Sequence, residues 1–239
     1  MSTLFISDLH LSAERSQTIR LFLDFLAEEA QQAEALYILG DLFEAWLGDD
    51  LVLPEYPPVL AALKTLNDSG VPVYVMRGNR DFLLDGEFER VSGCQLIDDP
   101  QVIDLYGTPT LLMHGDLLCT DDHAYQKMRR QLRDPHWIAQ FMAMDPEQRM
   151  AFARELRDRS RKETGEKSET IMDVNNDTVT AYLKEYQVLR LIHGHTHRPA
   201  SHSHPLDGTM ATRYVLTDWH EYGGMLRCDA DGCKAVRIG

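Results

Sequence analysis

The sequence has few cysteines and no long hydrophobic run. Its four cysteines are Cys94, Cys119, Cys228 and Cys233, and they form no CxxC pair. The N-terminus shows no basic segment followed by a long apolar stretch. We therefore expect no secretory signal, a cytoplasmic protein and reduced thiols. No segment approaches the roughly 20 apolar residues that a helix needs to span a bilayer, so we expect no membrane span.

Basic residues are also scarce. The 239 residues include 24 Lys and Arg against 38 Asp and Glu, which gives a formal net charge of −14. This charge argues against a general nucleic-acid-binding protein, which needs a basic surface. Residues 127–167 are the exception, with 11 of the basic residues and only 7 of the acidic ones. A basic patch on an acidic protein suits an anionic ligand or an anionic membrane surface better than a duplex.

The order of secondary-structure signals predicts a single α/β domain, residues 1–239, with a helical insertion at about 121–167. Strand and helix patterns alternate over the first hundred residues, which favours parallel strands. A hairpin pattern surrounds Gly107, and strand patterns dominate after residue 198. Between them, residues 121–162 show no strand signal and are typical of several helices broken at Pro135 and Pro146. We expect this insertion to form a lid over a functional site.

Clusters of potential metal ligands follow five of the predicted strands. Each cluster comes after an apolar run: TLFI, ALYIL, VPVYVM, TLLM or VLRLI. Side chains at the ends of neighbouring strands meet at one edge of a sheet, where α/β proteins build their sites. The clusters are Asp8-Leu9-His10, Gly40-Asp41, Gly78-Asn79-Arg80-Asp81, His114-Gly115-Asp116 and Gly194-His195-Thr196-His197.

Taken singly, several of these clusters have ordinary structural explanations. Asp8 or Asp41 could cap a turn or a helix, and residues 78–81 are a good β-turn sequence. The pair His195 and His197 is a stronger signal, because its spacing places both imidazoles on one side of an extended segment. All five clusters together favour a metal site. A structural zinc site would use cysteine, and no cysteine joins the set.

The number and type of donors indicate the chemistry. Seven donors are too many for one ion and suit two, and paired divalent cations indicate hydrolysis of a phosphate ester or anhydride. Carboxylate, amide and imidazole ligands without thiolate suit Mn²⁺, Mg²⁺, Fe²⁺ or Zn²⁺. The seven candidate ligands are Asp8, His10, Asp41, Asn79, His114, His195 and His197.

The ordered motifs resemble those of the calcineurin-like metallophosphoesterases, whose pattern is D-x-H, G-D, G-N-H-[DE], H and G-H-x-H. The resemblance implies two packed mixed β-sheets flanked by helices. It also implies two metal ions bridged by a carboxylate, here Asp41. The remaining ligands divide between the ions, with Asp8, His10 and His197 at one and Asn79, His114 and His195 at the other.

Arg80 departs from the pattern. Many family members have at this position a histidine that protonates the leaving group. Arginine keeps its charge and cannot act as an ordinary acid, but it can neutralise charge that develops on phosphoryl oxygens. A phosphate leaving group, with a second pKa of about 6, hardly needs a proton. Arg80 therefore favours a phosphoanhydride substrate over an alkyl phosphomonoester.

The exact residue sequences around these motifs give a more specific signal. They are SDLHL, GDLFEAWLGDD, GNRDF, LMHGD and HGHTHRP. They resemble those of the family members that cleave the pyrophosphate of UDP-2,3-diacylglucosamine to UMP and 2,3-diacylglucosamine 1-phosphate (lipid X) in the lipid A biosynthesis of Gram-negative bacteria. The resemblance implies two Mn²⁺ ions per subunit and attack of a metal-held water or hydroxide on the uridine-side phosphorus. The catalytic residues would be Asp41, Asn79, Arg80, His114 and His195.

The same resemblance implies a peripheral protein at the cytoplasmic face of the inner membrane, with no nucleic-acid partner, and we expect a monomer. Asp81 and Asp116 would either orient ligating imidazoles or cap turns. Thr164 stands where relatives often have Asn. The implied substrate contacts are Asn79, Arg80, Asp122, Ser160, Thr164, Lys167 and His195.

The insertion leaves alternatives open. One helical face carries Arg157, Ser160, Thr164 and Lys167, and it either binds substrate or is a solvated charged face. Six apolar residues either pack between helices or partly line an acyl groove; they are Trp137, Ile138, Phe141, Met142, Met144 and Phe152.

Two other functions of the protein also remain: a pyrophosphatase or phosphodiesterase for soluble nucleotides, and a non-enzymatic phosphoesterase-like scaffold.

Overall fold

A computed structural model describes residues 2–166 and 173–239, with the helical backbone alone for residues 159–166. The strands are β1 (Thr3–Ile6), β2 (Ala35–Leu39), β3 (Val73–Met76), β4 (Gln95–Ile97), β5 (Gln101–Leu105), β6 (Thr108–Met113), β7 (Arg190–His193), β8 (Ala200–Leu206), β9 (Thr209–Val215), β10 (Gly223–Asp229) and β11 (Gly232–Ile238). The α-helices are α1 (Ser16–Ala27), α2 (Pro57–Asp68), α3 (Gly86–Ser92), α4 (His123–Leu132), α5 (Pro135–Met142), α6 (Pro146–Glu166) and α7 (Asn176–Glu185).

The strands form two mixed sheets. The first has the order β11-β10-β1-β2-β3-β4, in which β1 to β4 run parallel. The second has the order β5-β6-β7-β9-β8, in which β6, β7 and β9 run parallel. In each sheet the parallel strands end at one edge, which is where their connecting loops meet. The prediction of two mixed sheets flanked by helices is confirmed.

Alternating side chains pack the two sheets face to face. Phe5 of β1 belongs to the apolar cluster that also holds Leu112 of β6 and so fills the space between the sheets. Leu4 and Ile6 point to the opposite face and pack with helices α1 to α3. On the outer face of the second sheet, Leu111 packs with helix α7. This period of two gives a helix–sheet–sheet–helix arrangement.

The predicted helical block between β6 and α7 consists of α4, α5 and α6. Pro135 and Pro146 each stand at the first residue of a helix, where the missing N–H interrupts no helical hydrogen bond. Trp137 and Phe141 of α5 stack on each other at 5.2 Å, and each meets Phe152 of α6 at 5.6 Å. The prediction of several helices broken at the two prolines is confirmed. None of the described helices is long and apolar enough to cross a membrane.

The expectation of four reduced thiols is wrong. Cys228 of β10 and Cys233 of β11 form a disulfide, whereas Cys94 and Cys119 are buried thiols. The hairpin places Cys228 and Cys233 directly opposite each other, with Cα atoms 4.1 Å apart. Their separation along the chain does not reveal this pairing, because it depends on the register of the hairpin.

Candidate metal centre

All seven candidate ligands lie at the ends of strands and meet between the two sheets. Asp8 and His10 follow β1, Asp41 follows β2, and Asn79 follows β3. His114 follows β6 in the second sheet, and His195 and His197 follow β7. The parallel order of these strands brings the five loops to a common edge, as the sequence predicts.

The backbone of these loops is strained at the ligands. Asp8, His10, Asp41, His195 and His197 all have positive φ, between 48° and 68°. They are five of the eight non-glycine residues with positive φ in the described chain, so the unfavourable conformations are concentrated at this site. Each such residue costs on the order of 1–3 kcal/mol, and such strain persists where the surrounding structure enforces it at a functional site.

The first group of ligands consists of Asp8, His10 and His197. His10 Nε2 and His197 Nε2 are 3.3 Å apart, and His197 Nε2 lies 3.5 Å from Asp8 Oδ1. The candidate ligand atoms of these three residues lie within 4.8 Å of one another. Two imidazole nitrogens and a carboxylate oxygen therefore point to one small volume, which is the arrangement that a divalent cation requires.

The second group is centred on Asn79. Its Oδ1 lies 2.9 Å from His114 Nε2 and 2.9 Å from His195 Nδ1. Asp41 stands between the two groups, with Oδ2 3.8 Å from His10 Nε2 and Oδ1 3.8 Å from His114 Nε2. The carboxylate of Asp41 thus faces both groups, as a bridging ligand would.

Hydrogen bonds from the protein orient the ligands. His114 Nδ1 lies 2.9 Å from the carbonyl oxygen of Leu39, so the ring directs Nε2 towards the site. Arg80 donates its backbone N–H to Asp41 Oδ1 at 2.8 Å. Gly78 and Gly194 allow close packing, because a Cβ on Gly78 would overlap the Asp41 carboxylate and one on Gly194 would overlap Asp8 Oδ2.

The buried carboxylates give the site a negative field. Burial lowers the pKa of His114, but the surrounding carboxylates, led by Asp41, raise it to about 9. Burial raises the pKa of Asp8, but the neighbouring His197 holds it well below its usual range. Burial and the charge of His114 lower the pKa of His195 to about 4. The carboxylates therefore stabilise positive charge between them.

The residues present fit divalent cations. Asp8 Oδ1 is buried and has no hydrogen-bond partner among the described residues, although it points to the two imidazoles of the first group. A buried carboxylate oxygen without a partner is unfavourable unless a cation satisfies it. Carboxylate, amide and imidazole donors are ligands of Mn²⁺, Mg²⁺, Fe²⁺ and Zn²⁺.

The alternative roles of Asp81 and Asp116 can now be separated. Asp81 accepts hydrogen bonds from the backbone N–H groups of Gly78 and Phe43, so it caps the turn instead of orienting an imidazole. Burial and the nearby Asp41 raise the pKa of Asp81 to about 6. Asp116 is fully buried, and the hydrogen bonds to its side chain come from helix α4. The hypothesis that these two carboxylates orient ligating rings is wrong.

Helix α4 contributes contacts that the sequence analysis missed. Asp116 Oδ2 accepts hydrogen bonds from Tyr125 Oη and Arg129 Nε, both at 2.7 Å. Arg133 donates to the carbonyl oxygen of Gly78 at 2.8 Å. Tyr125, Arg129 and Arg133 are spaced four residues apart on one helical face, which is the signal that was available in the sequence. The ring of Tyr125 also lies 5.7 Å from that of His195.

A cavity of about 830 Å³, including its open mouth, adjoins the ligand cluster. Asn79 and Arg80 line it on the side of the metal ligands. The insertion supplies the opposite wall with mostly apolar side chains, including Tyr125, Met128, Leu132, Trp137, Phe141 and Phe152.

The six apolar residues of the insertion lie in different surroundings. Trp137, Phe141 and Phe152 line the cavity and also pack against the core. Ile138 and Met142 pack against the core and do not line the cavity, and Met144 is exposed.

The predicted substrate contacts lie in different surroundings. Asn79 and Arg80 face the cavity, and no described salt bridge engages Arg80. Asp122 is buried at the start of α4, where it accepts the backbone N–H of Tyr125 at 3.0 Å. Ser160, Thr164 and Lys167 lie outside the residues whose side chains the structure describes.

The family model of calcineurin-like phosphoesterases matches residues 1–199. The chain belongs to the calcineurin-like phosphoesterase family. This confirms the predicted resemblance, and it confirms that the predicted phosphoanhydride hydrolase belongs to a class of metal-dependent phosphoesterases. The seven clustered candidate ligands of this phosphoesterase lie within the matched residues.

Curated relatives cover the phosphoesterase almost completely. A protein of Stenotrophomonas maltophilia is 52% identical over 97% of this chain and 96% of its own length. A protein of Xanthomonas oryzae pv. oryzae is 52% identical, with 97% of both chains covered. One from Xanthomonas axonopodis pv. citri is 51% identical over 100% of this chain and 99% of its own. All three are named UDP-2,3-diacylglucosamine hydrolase.

A solved structure shares the fold at low sequence identity. A hypothetical protein from Pyrococcus horikoshii superposes with a TM-score of 0.51 and 11% identity, over 99% of this phosphoesterase and 87% of that chain. At this identity the likeness supports the two-sheet architecture and nothing about the substrate.

Proposed function

We propose that this phosphoesterase hydrolyses the pyrophosphate bond of UDP-2,3-diacylglucosamine, giving UMP and 2,3-diacylglucosamine 1-phosphate in lipid A biosynthesis. The observation that carries the proposal is the apolar cavity directly beside the ligand cluster. Asn79 belongs to both and its neighbour Arg80 lines the cavity, so a substrate with its phosphates at the candidate metal ligands can place an apolar group in the cavity. The name of the relatives that are about half identical supports the same substrate.

The chemistry of the cavity favours an acylated substrate over a soluble nucleotide. Its wall from the insertion consists mostly of apolar and aromatic side chains, among them Met128, Trp137 and Phe152, together with three arginines. Each methylene group buried there contributes about 0.8 kcal/mol to binding. A nucleotide without acyl chains would leave this apolar surface in contact with water.

Two Mn²⁺ ions are the proposed cofactors. Asp41 is proposed to bridge the ions. When bound, they supply positive charge that activates the attacking water and neutralises the phosphoryl oxygens. The same donors also accept Mg²⁺, Fe²⁺ or Zn²⁺. The other ligands are proposed to divide into Asp8, His10 and His197 at one ion and Asn79, His114 and His195 at the other.

Arg80 is proposed to neutralise the charge of the reacting pyrophosphate. Its backbone is fixed twice, because its N–H binds Asp41 Oδ1 at 2.8 Å and its carbonyl accepts the N–H of Trp46 at 3.3 Å. Its side chain faces the cavity next to Asn79. A guanidinium next to the reacting phosphates stabilises charge that builds up on phosphoryl oxygens. A sugar 1-phosphate leaves without needing a proton, so arginine suffices where an alkoxide would require an acid.

The remaining elements of the proposal concern domain organisation and location. We propose one domain of residues 1–239, in which the insertion 121–167 covers the substrate cavity. We also propose a monomer that associates peripherally with the cytoplasmic face of the inner membrane. Val52 and Met144 are exposed apolar residues, and exposed apolar residues on a protein whose helical insertion is rich in basic residues suit reversible contact with anionic lipid. Co-sedimentation with anionic vesicles and not with zwitterionic vesicles is the expected result, and equal recovery with both would contradict it.

The substrate is tested by following UMP release. The protein is freed of metal with a chelator and supplied with UDP-2,3-diacylglucosamine, with and without added Mn²⁺, and UDP-glucose serves as the matched substrate without acyl chains. UMP is expected only from the diacylated substrate and only with metal. Equal turnover of UDP-glucose would contradict the lipid substrate and favour a soluble nucleotide pyrophosphatase.

A further inference from the structure

Glu44 lies between a proposed metal ligand and the helical insertion. It stands in the loop after β2, three residues beyond Asp41. Its side chain is 14% exposed and lines the cavity beside Arg80. Its negative charge makes it unsuited to bind the phosphates of a substrate. Its two oxygens instead point to two different elements of the protein.

One oxygen of Glu44 faces a ligand. Glu44 Oε2 lies 3.2 Å from His10 Nδ1. The other ring nitrogen, His10 Nε2, faces the first ligand group, 3.3 Å from His197 Nε2 and 3.8 Å from Asp41 Oδ2. A neutral imidazole carries its proton on one nitrogen only. A carboxylate beside Nδ1 favours the proton there, and leaves the lone pair of Nε2 free for a metal ion.

The other oxygen of Glu44 faces helix α6. Glu44 Oε1 lies 3.4 Å from Arg157 Nε. Arg149, two turns earlier on the same helix, donates to the carbonyl oxygen of Leu47 at 2.8 Å and to Asp50 Oδ1 at 2.7 Å. Helix α6 therefore contacts this loop through two arginines, Arg149 and Arg157. The contact of Arg157 is with Glu44, the carboxylate that faces His10.

We propose that Glu44 is a positioning residue that fixes the orientation and tautomer of His10, and that Arg157 holds Glu44 in place for this task. The proposal rests on the metal centre of the proposed function. The helical insertion is thereby coupled to metal affinity as well as to the cavity. Removing a carboxylate that orients a ligating histidine commonly lowers metal affinity by about 10- to 100-fold.

The test measures Mn²⁺ affinity of the metal-free protein by isothermal titration, without substrate. Glu44→Ala removes the carboxylate that faces Nδ1, whereas Glu44→Gln keeps a side-chain oxygen near Nδ1. Glu14→Gln is the matched control, because Glu14 also pairs with Arg157, at 3.7 Å, but it is 75% exposed. The expected result is an affinity about 10-fold or more lower in Glu44→Ala, partly restored in Glu44→Gln and unchanged in Glu14→Gln.

The outcomes separate the positioning role from the metal centre itself. A Glu44→Ala variant that is folded by circular dichroism and binds Mn²⁺ as the unaltered protein does would overturn the role of Glu44 alone. Failure of the unaltered protein to bind Mn²⁺ would overturn the metal centre and the positioning role together.

A double-variant comparison tests the part of Arg157. Arg157→Gln is expected to lower Mn²⁺ affinity in the unaltered protein and to have no further effect in Glu44→Ala, because both changes remove the same interaction. An equal loss in both backgrounds would show that Arg157 acts independently of Glu44 and would overturn this coupling.

Discussion

The backbone N–H of His195 donates a hydrogen bond of 2.8 Å to Asp8 Oδ2, and so joins the loop after β7 in one sheet to the loop after β1 in the other. Ser7 Oγ donates to the same oxygen at 2.6 Å. Asp8 Oδ1 is left to face His197 at 3.5 Å. One carboxylate thus joins the two sheets through one oxygen and directs the other oxygen to the candidate metal centre.

Asp41 is expected to be indispensable for metal binding and catalysis. Asp41→Asn removes its charge but keeps Oδ1 to accept the N–H of Arg80. We expect the number of bound Mn²⁺ ions to fall and turnover to drop by at least about 100- to 1000-fold, because the variant loses electrostatic stabilisation in a buried site. Metal content by mass spectrometry and steady-state kinetics measure this. Normal metal content with near-normal turnover would exclude the bridging role.

Arg80 is expected to act through charge and geometry. Arg80→Ala should lower kcat by about 100-fold or more, and Arg80→Lys should recover only part of it, because an ammonium group cannot bind oxygens in the bidentate way of a guanidinium. Arg130→Ala, at an exposed position on α4, is the control and should leave kcat unchanged. Unaltered kinetics in Arg80→Ala would remove the residue from the mechanism.

Metal removal is expected to destabilise the fold as well as abolish activity. The carboxylates of Asp8 and Asp41 are buried close together, so their repulsion is relieved by cations. Free Mn²⁺ at 100 times its Kd should add about 2.7 kcal/mol of stability. The Tm is measured in chelator and at increasing concentrations of Mn²⁺. In the Asp41→Asn variant, the Tm should rise less with Mn²⁺. A Tm that does not depend on Mn²⁺ would argue against binding at this site.

Arg129 is expected to be important for stability, because it pairs with the fully buried Asp116. Arg129→Met leaves that carboxylate without its cation and should lower the free energy of unfolding by about 3–5 kcal/mol. Asp116→Asn in the same chain should restore part of the loss. Urea unfolding is the measurement, and Lys127→Met, an exposed neighbour on α4, is the control. Equal unfolding midpoints for Arg129→Met and the control would refute the buried pair.

The sequence could predict that the seven candidate ligands lie close together, because each follows an apolar run and strand ends meet at one edge. The mixed sheets followed from the family resemblance carried by the same motifs. Asp8 and His195, for example, can be placed at this edge without knowing how the helices dock on the sheets. Two helix starts could also be predicted from the local sequence, because Pro135 and Pro146 each stand at the first residue of a helix.

Other features depend on packing that the sequence does not display. The contacts of Arg129 and Arg133 with the site require the docking of helix α4, although their spacing shows that they share a face. Strand β4 has three residues, too few to show a period of two. The disulfide between Cys228 and Cys233 requires the register of the last hairpin.

The cavity wall is expected to determine recognition of the acyl chains. Met128→Trp places a larger side chain in the cavity. If it displaces two methylene groups of the substrate, at about 0.8 kcal/mol each, KM should rise by about tenfold. A short-chain diacyl analogue is the matched control and should be less affected. An equal change in KM for both substrates would place the acyl chains outside this cavity.

The central claim is tested most directly by hydrolysing UDP-2,3-diacylglucosamine in water enriched in oxygen-18 and locating the label by mass spectrometry. Attack on the uridine-side phosphorus puts the new oxygen into UMP, and this is the expected result, with Mn²⁺ present and not with chelator. Label found only in 2,3-diacylglucosamine 1-phosphate would contradict the proposed attack, and absence of both products would contradict the proposed function.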